Sequence, residues 1–100
     1  MQVVENLAIL EGTLIATQRH PTLADYDVAT FQVARVEPVE GLPSLIHAKP
    51  GERLDVTIRR ELLGADSTPG ARFRFRAKRT QNGVMCEPHP LPGEFRISLD

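Results

Sequence analysis

A chain of 100 residues, 41% hydrophobic and 25% charged, is sized for a single domain over residues 1–100, and this composition excludes a disordered or collagen-like chain. The formal net charge of −1 excludes a strongly basic or acidic protein but hides a division: residues 53–79 carry eight Lys/Arg against three Asp/Glu, the rest four against ten. A lone cysteine excludes an internal disulfide, and no run approaches the ~20 apolar residues of a membrane helix. The chain also starts without the cationic and apolar run of a signal peptide, so a cytoplasmic protein with no membrane partner is expected.

Residues 1–12 admit two readings. Val3, Val4, Leu7 and Ala8 have helical spacing with Gly12 as a stop. Residues 7–17 are instead rich in β-favouring types, with Thr13, Ile15 and Thr17 alternating against Leu14 and Ala16. The strand is preferred, with Gly12 as a bulge or bend inside it. Residues 18–25 form a loop around Pro21, and a second strand follows over 26–37, its Ala29, Phe31 and Val33 on one face. Pro38 ends it, and residues 38–50 are a long connection with room for one helical turn at 44–48.

Residues 53–61 are a third strand with Leu54, Val56 and Ile58 inward. Leu62, Leu63 and Gly64 make a short helical turn or an apolar plug, and 65–70 is a loop. The fourth strand alternates most cleanly. Phe73, Phe75 and Ala77 share one face, while Arg72, Arg74, Arg76 and Lys78 share the other. Asn82-Gly83 then signals a two-residue hairpin loop, which places Thr80 opposite Met85, Arg79 opposite Cys86 and Lys78 opposite Glu87. Residues 88–100 are a proline-rich C-terminal connector, with 94–99 available as an edge strand.

These runs describe an all-β, five- to six-stranded small antiparallel barrel with little helix. In strand count, length and terminal hairpin, residues 7–88 resemble the oligonucleotide/oligosaccharide-binding (OB) fold, with the helix between its third and fourth strands reduced to about residues 61–64. No OB subfamily signature stands out, and an SH3-like barrel is the rival layout.

The cationic row is the leading candidate site. Arg72, Arg74, Arg76 and Lys78, joined by Arg59 on the neighbouring strand, are placed to track a phosphate backbone. The OB resemblance implies a binding face on such a sheet. The competing reading is a solvated outer face balanced by Asp55, Glu61 and Glu87. Four Phe, one Tyr and no Trp leave only Tyr26 and Phe95 as stacking platforms, so any single-stranded nucleic acid would be held weakly and by charge. Cys86 and His89 have a C-x-x-H spacing but lack a second ligand pair, and Asp25 with Asp27 lacks a catalytic setting. No metal, cofactor or catalytic residue is expected.

The sequence therefore reads as a non-enzymatic module that binds nucleic acid or another polyanion through the row. The alternative is a protein-interaction or assembly module, including self-association through the fourth strand or the 94–99 edge. A small-ligand carrier or enzyme ranks third.

Overall fold

A computed structural model describes residues 5–99. Six strands and one helical turn follow in chain order: β1 (Ala8–Arg19), β2 (Tyr26–Pro38), β3 (Arg53–Arg59), α1 (Arg60–Leu63), β4 (Arg72–Thr80), β5 (Gly83–Cys86) and β6 (Phe95–Ser98). The order β1-β2-β3-β5-β4 closes on itself because β1 also pairs with β4, and β6 adds to β4 outside that ring. This is a closed five-stranded barrel with an extra strand, in the OB-like layout.

Two-residue alternation builds the interior. Ala8, Leu10 and Leu14 of β1, Ala29, Phe31 and Val33 of β2, and Val56 and Ile58 of β3 are buried. So are Phe73, Phe75 and Ala77 of β4, with Val84 and Cys86 of β5. Phe31 sits among its fellow rings, 5.0 Å from Phe73 and 5.3 Å from Phe75. The turn α1 is too short to hold itself by backbone bonds and instead plugs the barrel with buried Leu63, so both readings of that segment meet in one element. Among the described residues 44–48 there is no helical turn; Ile46 is buried as part of an irregular cover.

The opening segment is a strand from Ala8, and the part of the helical alternative that used Val3 and Val4 lies outside the described residues. The β1–β2 ladder shifts twice. Glu11 faces Arg35 while Gly12 faces Val33, leaving Ala34 as an extra residue on β2; Leu14 faces Phe31 while Ala16 faces Thr30, leaving Ile15 extra on β1. These bulges let a long strand bend around a small barrel. Before β1, the side chain of Asn6 both donates to the Arg79 carbonyl (3.0 Å) and accepts from its N–H (2.8 Å), tying the entry of the barrel to the end of β4.

Two expectations need correction. The barrel is not wholly antiparallel: β3 and β5 pair in parallel through Val56–Val84 and Thr57–Met85. The run from β3 through α1 to β4 reverses direction once, and the β4–β5 hairpin reverses it again. The hairpin register also differs from the one its Asn-Gly signal suggested, with the two-residue loop one position earlier. Thr80 pairs with Gly83, Lys78 with Met85 and Ala77 with Cys86, so Gln81 and Asn82 form the loop. No non-glycine residue takes positive φ among those described, whereas Gly83 has φ 120°. Glycine thus stands at the fourth position of the turn, where type I turns favour it, and Asn82 escapes the left-handed conformation. The register moves by two residues, which keeps Cys86 on the inner face but takes Glu87 away from Lys78.

Candidate anion-binding face

Because Phe73, Phe75 and Ala77 point inward, Arg72, Arg74, Arg76 and Lys78 stand on the outside of β4. That face is flanked by β1 on one side and by β6, then β5, on the other. What meets the cations is decided largely by the β2 bulge. Up to Val33, odd-numbered residues of β2 face inward; beyond the extra Ala34, alternation switches and Arg35 and Glu37 face out. Glu11 of β1 lies opposite Arg35 on one side and Arg74 on the other. Its carboxylate accepts from both guanidinium groups, at 3.3 Å for Arg35, while Glu37 pairs with Arg35 and lies 3.6 Å from Arg74. Arg74 is therefore held inside a four-residue ion network.

The rest of the row divides. Arg76 pairs with Glu94, at 3.2 Å, from the turn before β6. Lys78 faces Met85 across the hairpin. Arg72 is exposed and, among the described residues, has no carboxylate partner. Arg96 of β6 lies directly opposite Arg74 and donates to the Gly93 carbonyl, at 3.2 Å, with no carboxylate partner among the described residues. Arg72, Arg74 and Arg96 line one groove of about 490 Å³, with Thr13, Ser98 and Glu11 on its walls and Gly12 and Ala34 adding little bulk.

No family model matches this chain, and no curated protein matches it. The face is therefore read from its own chemistry.

The remaining candidates lie apart from the groove. Arg59, at the end of β3, pairs with Glu61 at 2.9 Å; beside it Arg60 donates to Asp27 at 2.9 Å. Asp27 is thus an ion-pair partner, not half of a carboxylate pair with Asp25. Tyr26 is half-buried at the start of β2, across from Arg59. Phe95 is half-buried against the core, 5.9 Å from Phe73 and 6.0 Å from Phe75, so its ring already serves the aromatic cluster. Asp55, expected to balance arginines, instead accepts from Thr30 at 2.7 Å. Sequence reading missed Arg96, Arg35, Glu11 and Glu94. Alternation alone gives the outward positions of Glu11 and Arg96; Arg35 faces out only beyond the β2 bulge, Glu94 lies in a turn, and the meeting of all four depends on ladder registers that alternation leaves open.

Partial desolvation pushes the Glu11 carboxyl up, but hydrogen bonds and charges from Arg74 and Arg35 outweigh it and hold the group below its ordinary value. The Arg74 guanidinium is correspondingly raised, first by its hydrogen bond to Glu11. A folded-state value below the unfolded one gives stability that is complete above about pH 4.3 and is lost as pH falls through the folded value. Glu11→Gln should therefore lie about 0.2–1 kcal/mol below the parent at pH 7, as exposed ion pairs do, with the gap closing in acid. Urea unfolding across pH checks this; a gap unchanged in acid would remove charge as its cause. Burial pushes the Cys86 thiol up to about 12, which makes it a small apolar filler of the core and a poor nucleophile.

Proposed function

We propose that this protein is a non-enzymatic binding module that holds nucleic acid, or another polyanion, weakly and by charge on the outer face of β4. The observation that supports the reading is the incomplete neutralisation of that face. Glu11, Glu37 and Glu94 engage Arg74 and Arg76, while Arg72 and Arg96 project without a carboxylate among the described residues. Few rings are free for base stacking, so binding should be indifferent to sequence and steeply salt-dependent. A cytoplasmic setting belongs to the same reading.

The test is fluorescence anisotropy of a labelled oligothymidylate strand. Binding is expected at ~20 mM salt and should fade as salt approaches ~200 mM, the range over which phosphate contacts are screened. A strand that stays free at the lower salt would reject the reading.

A second reading, assembly with another chain or a second copy, draws on β6. Among the described residues this four-residue strand pairs with β4 alone, at the end of the strand order, and Leu91 and Leu99 are exposed nearby in sequence. Sedimentation that rises with concentration would favour it.

A further inference from the structure

We propose that the groove between β1, β4 and β6 is the anchoring subsite of this face, with a backbone phosphate seated between Arg72 and Arg96, and that Glu11 is an internal competitor for Arg74. The inference rests on the polyanion reading and adds where the strand is held and what limits its affinity.

The placement follows from how charge is distributed across the strands. Arg74 and Arg96 are directly opposite, and Arg72 is diagonal to Arg96, so three guanidinium groups crowd two adjacent strands. Like charges directly opposed in a sheet repel unless something answers them. The acids that answer come from the β1–β2 side and engage Arg74 and Arg35; Arg72 and Arg96 line the groove with no carboxylate paired to them among the described residues. A tetrahedral phosphate offers the acceptors that guanidinium groups bind in pairs, and Thr13, opposite Arg72 in the β1–β4 ladder, lines the same groove. Beyond the groove, Arg76 and Lys78 continue at every second position of β4, roughly 6.6–6.8 Å apart at the rise of a strand. A linear row suits a chain of phosphates better than a single small anion.

Glu11 then sets the strength of the contact. A phosphate reaching Arg74 must displace the Glu11 carboxylate, which Arg35 also holds. Removing that carboxylate frees one more guanidinium.

Salt titrations of oligothymidylate binding test both parts. Arg72→Ala with Arg96→Ala should flatten the slope of log K against log salt by about 0.7, the single-strand value for the one phosphate that the pair holds. Glu11→Gln should steepen it by about 0.7 and bind several-fold tighter at low salt. Glu40→Gln makes the same change in net charge from an exposed position outside the face, and should alter neither. Thermal melts of each variant confirm that it is folded. A parental slope in the double arginine variant, or equal effects of Glu11→Gln and Glu40→Gln, would overturn the inference while leaving a polyanion binder. Displacement of the strand by trace inorganic pyrophosphate would overturn it in favour of a small-anion site. Failure of the parent to bind any strand would instead reject the function itself.

Discussion

Phe31→Ala is expected to destabilise the protein by about 3–5 kcal/mol, the range for a deleted core aromatic. Phe31 is fully buried, and its ring lies within 5.3 Å of both Phe73 and Phe75, which in turn contact Phe95. Removing it takes away the β2 ring that packs against both Phe73 and Phe75 in a four-ring cluster. The surrounding strands are closed into a ring by backbone ladders, so they cannot collapse inward to refill the space. For a domain whose whole stability is roughly 5–15 kcal/mol, this leaves a marginal fold. Phe31→Leu retains most of the volume and should lose less than half as much. Urea midpoints for the two variants provide the check, and a loss below about 1 kcal/mol for the alanine would show that the cluster is not the organising core.

Gly12→Ala is the second large effect, and its sign is informative. At a site with room, replacing glycine by alanine stabilises by about 0.4–1 kcal/mol through the unfolded chain. Here a Cβ would sit 2.8 Å from the carbonyl oxygen of Gln32 and 3.3 Å from the Cβ of Phe31. The first of these is backbone, held in the β1–β2 ladder where Thr13 faces Gln32, so it cannot turn aside as a flexible side chain would. Gly12 has no positive φ to relieve, and the objection is close approach alone. A net loss of about 1–3 kcal/mol is expected, as for other overpacked cores. Thermal melting would decide it, and a variant more stable than the parent would mean that the strands separate at this bulge more readily than the ladder implies.

The sequence made the fold legible where alternation was clean. Phe73, Phe75 and Ala77 against Arg72, Arg74 and Arg76 could be assigned to faces without knowing any partner strand, and the buried trio followed. Gly12 could be read as a bend because glycine inside a β-favouring run has few other uses. The hairpin was found but its two-residue loop was placed one residue too late, which shifts the pairing by two, since the Asn-Gly signal locates a turn without fixing which position of the turn the glycine takes. The site was legible only in half. Its β4 cations lie on one strand and show in one line of sequence, whereas Arg96 and Arg35 come from β6 and β2. Its acids come from β1, from β2 beyond a bulge, and from the turn before β6. A single extra residue, Ala34, brings Arg35 and Glu37 to the outside, and nothing local to that segment distinguishes it from unbroken alternation.

The parallel seam between β3 and β5 has a mechanical consequence. Two residue pairs close the ring there, while β1 and β2 share a ladder along nearly their whole lengths. Breathing of the barrel should begin at this shortest junction, whose backbone bonds are fewest. In the order β1-β2-β3-β5-β4, the seam is two strands from β1 in either direction, on the far side of the ring from the β1–β4 boundary. Opening and reclosing at that wall should leave the arginines beside the β1–β4 boundary in register, so the shortest junction and the cationic row belong to different walls of the same small ring.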